Sequence, residues 1–308
     1  MSPAGELIIC GSGAALPTKN NSPTAQVLKV SGIPYLIDAG EGVQERMRIE
    51  NVKFQKIPAI FISHLHGDHV LGLPGLIGTM NLFGRKQPLQ VFGPPGIRAF
   101  LDTIHQLSDT HLKFELRIAE IPENKGQIVR ILSDSLLHVE AFLVKHRVST
   151  FGFRFSPVHR RRNLLKSAVK THHLSIAEIK KLTAGKNVVR ENGDILHADE
   201  LCAPKQDPWS YVYGADSRPC QAVVEAAQQV SLLYHEATFC DQDRDLAKKT
   251  HHSTASEAGQ VALKAQVKHL ILGHFSSRYN DLNTLLSEAQ TVFPGKISLG
   301  VRGSRFKL

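Results

Sequence analysis

Ser63-His64-Leu65-His66-Gly67-Asp68-His69 follows directly on Ala59-Ile60-Phe61-Ile62, an apolar run with the length and residue types of a buried strand. Four side chains of metal-ligating type, His64, His66, Asp68 and His69, fall within six positions. A loop leaving a strand end can aim such side chains inward together. Histidines at i and i+2 project to one side and can share one ion, while the Asp at i+4 and the His at i+5 can reach a second. The plain alternative is a chance histidine-rich loop, or imidazoles satisfied by core carbonyls. Four such residues in so short a stretch argue against it.

Outward from this stretch, one arrangement recurs: a polar ligand just beyond an apolar strand. His146 comes after Ala141-Phe142-Leu143-Val144, Asp216 after Tyr211-Val212-Tyr213-Gly214, and His274 after Leu270-Ile271-Leu272-Gly273. Sites in open α/β sheets collect beyond strand ends, so these scattered residues are expected to converge on the cluster. Singly, His146 is equally a strand cap, Asp216 a turn residue before Pro219, and His274 a buried histidine with a backbone partner. Taken together they complete two shells: His64, His66 and His146 for one ion, Asp68, His69 and His274 for the other, with Asp216 bridging. Imidazole and carboxylate without thiolate suit Zn²⁺, with Mn²⁺ or Fe²⁺ as alternatives. Two such cations ~3.5–4 Å apart polarise a bridging water and stabilise charge on a phosphoryl group. Asp68 is placed to bind metal and to orient or deprotonate that water.

The flanking pattern gives the fold class. Glu6–Cys10, Gln26–Val30, Tyr35–Ile37, Ala59–Ile62 and Leu89–Phe92 read as strands, and Gly72–Phe83 and Gly96–Leu107 as helices. Leu137–Val144 and Phe151–Phe155 read as further strands. The later part alternates: strand Ser210–Tyr213, helix Pro219–Val230, strand Ser231–Tyr234, helix Ser253–Ala265, strand His269–Leu272, helix Asp281–Thr291. That order predicts an α/β protein with two mixed sheets and helices outside. Between them, residues 156–194 are poor in large apolar side chains and carry Arg160, Arg161 and Arg162, with a short capped helix at Ser175–Leu182. We read this as a basic arm inserted into a single domain spanning residues 1–308.

Composition sets outer limits. With 308 residues, 42% hydrophobic and 21% charged, the chain buries a substantial core, which excludes wholesale disorder. A net charge of +9 points to an acidic partner, nucleic acid first, or to a solvated basic surface. The opening residues lack a basic leader region, and no apolar run approaches the ~18 residues of a membrane span, so no membrane association is expected. Cys10, Cys202, Cys220 and Cys240 are too scattered for a zinc knuckle or a disulfide scaffold, which suits reduced thiols in the cytoplasm. Gly11-Ser12-Gly13 lacks a third glycine, and Leu16-Pro17 stands where a helix would begin, so a nucleotide loop is excluded.

Several motifs resemble those of ribonuclease Z, the transfer-RNA 3′-processing endonuclease of the metallo-β-lactamase superfamily. Leu7–Pro17 resembles the family's opening strand and loop, and Asp38-Ala39-Gly40-Glu41-Gly42 its next motif, whose Asp is usually structural. Ser63–His69 with Leu71-Gly72-Leu73-Pro74-Gly75 is similar to its central signature, and His146–Phe153 to its third. Asp216-Ser217-Arg218-Pro219, His235-Glu236-Ala237-Thr238-Phe239, His252-Ser253-Thr254 and Gly273–Tyr279 resemble the remainder. The likeness runs over nearly the whole chain. It implies a metallo-β-lactamase αββα sandwich and two Zn²⁺ ions per subunit. It also implies a homodimer in which the arm of one subunit serves the site of its partner. Among residues, it implies Asp68 as proton acceptor and His252 as assistant to the leaving oxygen, with Glu236 orienting His252 and Arg278 holding substrate phosphate. His251 is left as structural. Two departures stand out: Ala215 replaces the glycine usual before the bridging Asp, and the arm lacks the family's Gly/Pro-rich run. The basic side chains Arg160, Arg161 and Arg162 are the expected RNA contacts there.

The resulting expectation is a zinc phosphodiesterase that removes the 3′ trailer from precursor tRNA and leaves a 3′-hydroxyl. Its rivals are a small-molecule metallohydrolase on the same fold, of cyclic-phosphodiesterase or arylsulfatase-like type, and a metal-bearing RNA-binding protein without catalysis.

Overall fold

The computed structural model describes residues 4–124, 126–158, 162–203 and 208–308. Chain contacts divide it into two compact units, one comprising Pro157–Pro208 and the other Ala4–Ser156 with Trp209–Leu308.

The larger unit begins with β1 (Gly5–Gly11), β2 (Ala25–Val30), β3 (Ile33–Ile37), β4 (Ala59–Phe61), β5 (Leu89–Gly93) and β6 (Leu116–Glu120). The first three pair antiparallel and β3 to β6 pair parallel, giving a mixed sheet. Against them lie α1 (Val43–Ile49), the one-turn α2 (Gly67–Val70), α3 (Gly72–Leu82) and α4 (Ile97–Leu107). The second sheet holds β7 (Ile128–Ser133), β8 (Leu137–Leu143) and β9 (Phe151–Pro157). The Pro157–Pro208 unit contributes α5 (Lys166–His172), α6 (Ile176–Thr183), the hairpin of β10 (Val188–Val189) and β11 (Ile195–Leu196), and α7 (Ala198–Leu201). The second sheet resumes with β12 (Tyr211–Tyr213), β13 (Leu232–Glu236), β14 (His269–Gly273) and β15 (Lys296–Leu299), interleaved with α8 (Gln221–Ala226), α9 (Arg244–Thr250), α10 (Ala255–Lys264) and α11 (Asn283–Val292). β16 (Arg305–Lys307) returns to close the first sheet beside β1. Each sheet has seven strands.

Alternation within the strands explains the layering. Leu7, Ile9, Leu28, Tyr35 and Phe61 face Phe153, Phe155, Tyr211 and Tyr234 in one core between the sheets. Ile8, Cys10, Val27, Leu36 and Ile60 point the other way, into a core with α1, α3 and α4. Val212, Leu233, Leu270 and Leu272 do the same against α8, α10 and α11. Because both faces of each sheet are covered, the central strands read as continuous apolar runs. The architecture is therefore αββα.

In the Pro157–Pro208 unit, Leu182, Val188, Leu196 and Leu201 make a separate small core. Ser175 and Glu178 form a reciprocal capping box at the start of α6. Glu178 also accepts from Arg190 at 2.7 Å. This compact unit extends past residue 194, the expected end of the arm.

Arg85 ties together the segments that lead into β4 and β5. Its guanidinium donates to the carbonyls of Gln55, Ile57, Gln87 and Pro88 at 2.7–2.9 Å while lying over Phe114. Arg85→Met would leave those acceptors without their donor, and a loss of about 3 kcal/mol in unfolding free energy is expected. Urea denaturation measures it; an unchanged midpoint would show that solvent replaces the guanidinium.

Candidate metal centre

Asp38 follows β3 directly and is fully buried at φ 54°. Its Oδ1 accepts from the Ser63 backbone N–H at 2.7 Å. Its Oδ2 accepts from Ser63 Oγ at 2.8 Å and from Tyr213 Oη at 2.6 Å. The same oxygen lies 2.8 Å from His69 Nδ1. With the Ser63 hydroxyl donating to Asp38, its oxygen is free to accept from His64 Nδ1, 3.0 Å away. One carboxylate thus fixes two imidazoles with their hydrogens on Nδ1, and Nε2 of both His64 and His69 is turned inward as a lone-pair donor.

The opposite sheet repeats the device. Glu236, the last residue of β13, is fully buried. It accepts from the backbone N–H groups of Ser217, Thr238 and Ser253 at 2.9–3.2 Å and from Thr238 Oγ1 at 2.6 Å. The Thr238 hydroxyl in turn lies 2.9 Å from His274 Nδ1, so Nε2 of His274 also points inward. His146 Nδ1 is taken by the His251 carbonyl at 3.0 Å. His251 thus acts through its backbone.

The inward atoms converge. His64 Nε2 and His66 Nδ1 are 2.9 Å apart, and His146 Nε2 is 3.4 Å from His66 Nδ1. Asp68 Oδ2 lies 3.4 Å from His274 Nε2 and 3.6 Å from His69 Nε2. Asp216 Oδ2 stands between the two groups, 3.2 Å from His274 Nε2, 3.3 Å from His69 Nε2 and 3.8 Å from His64 Nε2. Donor atoms of His64, His66 and His146 lie within 4.8 Å of one another, as do those of Asp68, His69 and His274 and those of His64, His69 and Asp216. His69 Nε2 is buried without a hydrogen bond, an arrangement that costs energy unless a cation occupies the space before it. Nitrogen and carboxylate donors facing one another at these distances fit a metal-binding site.

The electrostatics agree. Burial pushes His64 well below its ordinary pKa, keeping it neutral as a ligand must be. Burial opposes charge on His69 too, but the Asp216 and Asp38 carboxylates override it and hold the pKa well above the ordinary value. The positive charge that His69 attracts there is what a metal ion supplies. Asp216 is kept ionised against its burial by His274 and His69, and Asp68 against its burial by His274 and His69.

His252 stands beside this centre, its ring 5.2 Å from that of His274. Its Nδ1 is 2.8 Å from Glu236 Oε1. Burial would lower its pKa, yet the Glu236 carboxylate more than offsets this and raises it to about 9. His252 lines a cavity of about 490 Å³ together with His66, Asp68, Asp216 and His274. Arg278 lies over Phe239, which also lines the cavity, and sits 4.0 Å from Asp243.

Of the residues expected from sequence, the structure brings together His64, His66, Asp68, His69, His146, Asp216, His274, His252 and Glu236. Arg278 is at the rim. Arg160 and Arg161 lie outside the described residues. Arg162 is engaged within its own unit, donating to the Ala203 carbonyl at 2.9 Å and pairing with Asp199 at 2.5 Å. Ala215 has φ 52°, so the position before Asp216 does require the left-handed region, at a cost of about 1 kcal/mol for a residue with a Cβ. Sequence reasoning gave no role to Ser63, Tyr213, Thr238 or Arg147. Ser63 and Thr238 stand inside quoted motifs, next to or two residues from a functional side chain, and a hydroxyl there is the available signal. Arg147 Nη2 lies 3.3 Å from His66 Nε2 and lines the cavity.

A family model described as Anti-Pycsar protein Apyc1 matches residues 5–123, less than half of the chain. A Ribonuclease Z of Porphyromonas gingivalis is 40% identical over 294 residues, covering 96% of this chain and 96% of that protein. A Ribonuclease Z of Cytophaga hutchinsonii is 41% identical over 302 residues, covering 98% and 95%. The crystal structure of human tRNase Z, short form, superimposes with a TM-score of 0.70 at 28% identity over 98% of each chain. The metallo-β-lactamase fold protein YhfI from Bacillus subtilis gives a TM-score of 0.69 at 18% identity, covering 99% and 100%, which speaks for the fold alone.

The two hydroxyl relays make separable predictions. Thr238→Val disconnects His274 from Glu236, and Ser63→Ala disconnects His64 from Asp38. Each is expected to weaken metal binding at least about tenfold. Competition titration against a chromogenic chelator reads the affinity; unchanged binding in either variant would refute its relay.

Proposed function

The chain belongs to the ribonuclease Z family, and from that membership we propose that it cuts precursor tRNA, removing the 3′ trailer and leaving a 3′-hydroxyl. It is a metal-dependent endoribonuclease. The observation that carries the reading is the meeting of seven ligand-type side chains from both sheets, with a carboxylate-bound His252 beside them on one cavity wall.

We assign two Zn²⁺ ions per subunit, with Mn²⁺ or Fe²⁺ as the other ions that this donor set accepts. His64, His66 and His146 would hold one, Asp68, His69 and His274 the other, with Asp216 shared. Bound there, they supply Lewis acidity toward a phosphoryl oxygen and make water acidic enough to ionise near neutral pH. The protein's own groups do the rest. Asp68 Oδ2 is held by the Ala15 N–H at 2.8 Å, which leaves Oδ1 to take the proton of the attacking water. The Glu236 carboxylate accepts from His252 Nδ1–H, so the hydrogen on Nε2 is the one offered to the departing 3′ oxygen. Attack at phosphorus with departure of that oxygen gives the 3′-hydroxyl product. Arg278 and Arg147 add positive charge near the phosphate.

For RNA outside the cavity we assign the Pro157–Pro208 unit, whose Lys166, Lys180, Lys181 and Lys186 are exposed. Lysines of this kind bind a phosphate backbone without reading sequence. No helix among the described residues is long and apolar enough to cross a membrane. Four free cysteines support a cytoplasmic location. A homodimer is supported by apolar side chains left exposed at the ends of α1 and α3, with Ile49 53%, Leu82 82% and Phe83 68% accessible.

Wild-type protein is expected to cut a precursor tRNA bearing a 3′ trailer at the acceptor-stem boundary. Asp68→Ala and His252→Ala should each lose about 10²–10⁴-fold in single-turnover rate. Cleavage that persists after chelation and dialysis would overturn the metal dependence, and absence of any product with wild type would overturn the substrate. Phe83→Asp is expected to halve the mass seen by light scattering; an unchanged mass would place the subunit contact elsewhere or remove it.

A further inference from the structure

Besides the metal-binding cluster, the two sheets bring different side chains to the cavity. Arg147 and His252 carry cationic groups on the wall built by the second sheet. Loops of the first sheet bring Leu16, Pro17, Pro23 and Leu71 to the cavity, and with them two carboxylates, Asp68 of the metal-binding cluster and Glu41, which stands outside it. Leu16 and Leu71 are 51% and 57% exposed, an unusual display of aliphatic surface at the mouth of a polar site. Among the described residues, Glu41 is exposed and makes no hydrogen bond or ion pair.

Its place is rigid. The Ala39 N–H donates to the His69 carbonyl at 2.7 Å, the Gly40 N–H to the Thr24 carbonyl at 3.0 Å, and the Gly72 N–H to the Ala39 carbonyl at 2.8 Å. A Cβ on Gly40 would come within 2.5 Å of the Asp68 carbonyl and 2.6 Å of Pro23 Cβ, so the loop carrying Glu41 is pressed onto both neighbours. Glu41 therefore projects from backbone welded to the metal-binding loop.

An unpaired carboxylate on the wall of a phosphodiester site repels phosphate. What it favours is a hydrogen-bond donor, and the donors an RNA strand offers beside a phosphodiester are base edges and the 2′-hydroxyl. The aliphatic neighbours select between these, because they accept the apolar face of a planar base and nothing from a hydroxyl. We propose that this wall is a nucleobase subsite for the nucleotide flanking the cut, with Glu41 reading a donor edge of the base. Guanine fits best. Its N1–H and N2–H are parallel and meet both carboxylate oxygens, whereas cytosine, adenine and uracil each offer one matched donor or a donor beside an acceptor. Glu41 is a specificity-determining residue in this assignment, which rests on the RNA-cleaving reading above.

The test uses metal-loaded enzyme and two sets of precursor tRNA, differing only in the base on the 5′ or the 3′ side of the cut. In one set, wild type is expected to favour guanine over uracil by about tenfold in kcat/KM. Glu41→Gln, which keeps the shape but turns one acceptor into a donor, should bring that ratio to within about twofold, with circular dichroism unchanged. A wild type indifferent to the base in both sets, or a preference that survives in Glu41→Gln, overturns the subsite. If wild type cuts no precursor, the proposed function fails and the subsite is judged by calorimetry. Tighter binding of guanosine 5′-monophosphate than of uridine 5′-monophosphate, lost in Glu41→Gln, supports it; equal binding overturns it.

Discussion

Everything at this centre hangs on a carboxylate that touches neither cavity nor substrate. Asp38 is buried between the sheets, where an ionised carboxyl without donors costs several kcal/mol. Ser63 supplies it with two donors, Tyr213 with one and His69 with another. These same bonds set the tautomers of His64 and His69 and tie the strand end before Asp38 to Tyr213 on the other sheet. Satisfying one buried charge therefore also orients two ligands and fixes the spacing between the two halves of the site. Glu236 does the corresponding work from the second sheet, with five donors in place of four, His252 among them.

The pairing of sheets explains why ligands so far apart in sequence meet. β3, β4, β12, β13 and β14 all end at one edge of the sandwich, and Asp38, Ser63, Asp216, Glu236 and His274 stand at or just past those ends. Several of these residues leave the strand in the left-handed region: Asp38 at φ 54°, Ala215 at φ 52° and His274 at φ 56°, with His251 at φ 62° behind His146. Each costs on the order of 1 kcal/mol against an ordinary turn. The dense packing of the strands before them and the hydrogen bonds just described offset that cost. The strain is concentrated where the chain must turn a side chain back toward the metal-binding cluster.

Much of this was legible in sequence because it depends on local pattern. A strand buried on both faces reads as a continuous apolar run, and a ligand at its end reads as a polar residue breaking that run. His64–His69, His146, Asp216 and His274 are all of this kind. What was not legible depends on distance across the fold. Tyr213 looks like any aromatic core residue of a strand, and nothing local says that its hydroxyl reaches Asp38. β6 and β16 lie at the two ends of the first sheet and carry charged, half-exposed residues in place of an apolar run. α1, Val-Gln-Glu-Arg-Met-Arg-Ile, buries only Val43 and Met47 and so shows almost no periodicity. The helix expected at Pro219–Val230 shortens to Gln221–Ala226 because Cys220 is extended and Gln229 turns at φ 52° to donate to the Ala265 carbonyl.

The inserted unit marks the other limit of sequence reasoning. A run of arginines looked like a single basic surface, but Arg162 and Arg190 are spent inside the unit, on Asp199 and Glu178 and on backbone carbonyls. A small core, seven buried residues among those described, needs such ties, since it buries too little apolar surface to hold three short helices and a hairpin of two-residue strands by packing alone. The lysines are different: Lys180, Lys181 and Lys186 stay exposed around α6. Among the described residues of this unit, the guanidinium groups of Arg162 and Arg190 serve folding because a planar fork of donors can satisfy several acceptors at once, while the ammonium groups of Lys180, Lys181 and Lys186 remain at the surface as point charges. A count of positive residues in sequence cannot make that separation, because it follows from which side chain finds an acceptor within reach.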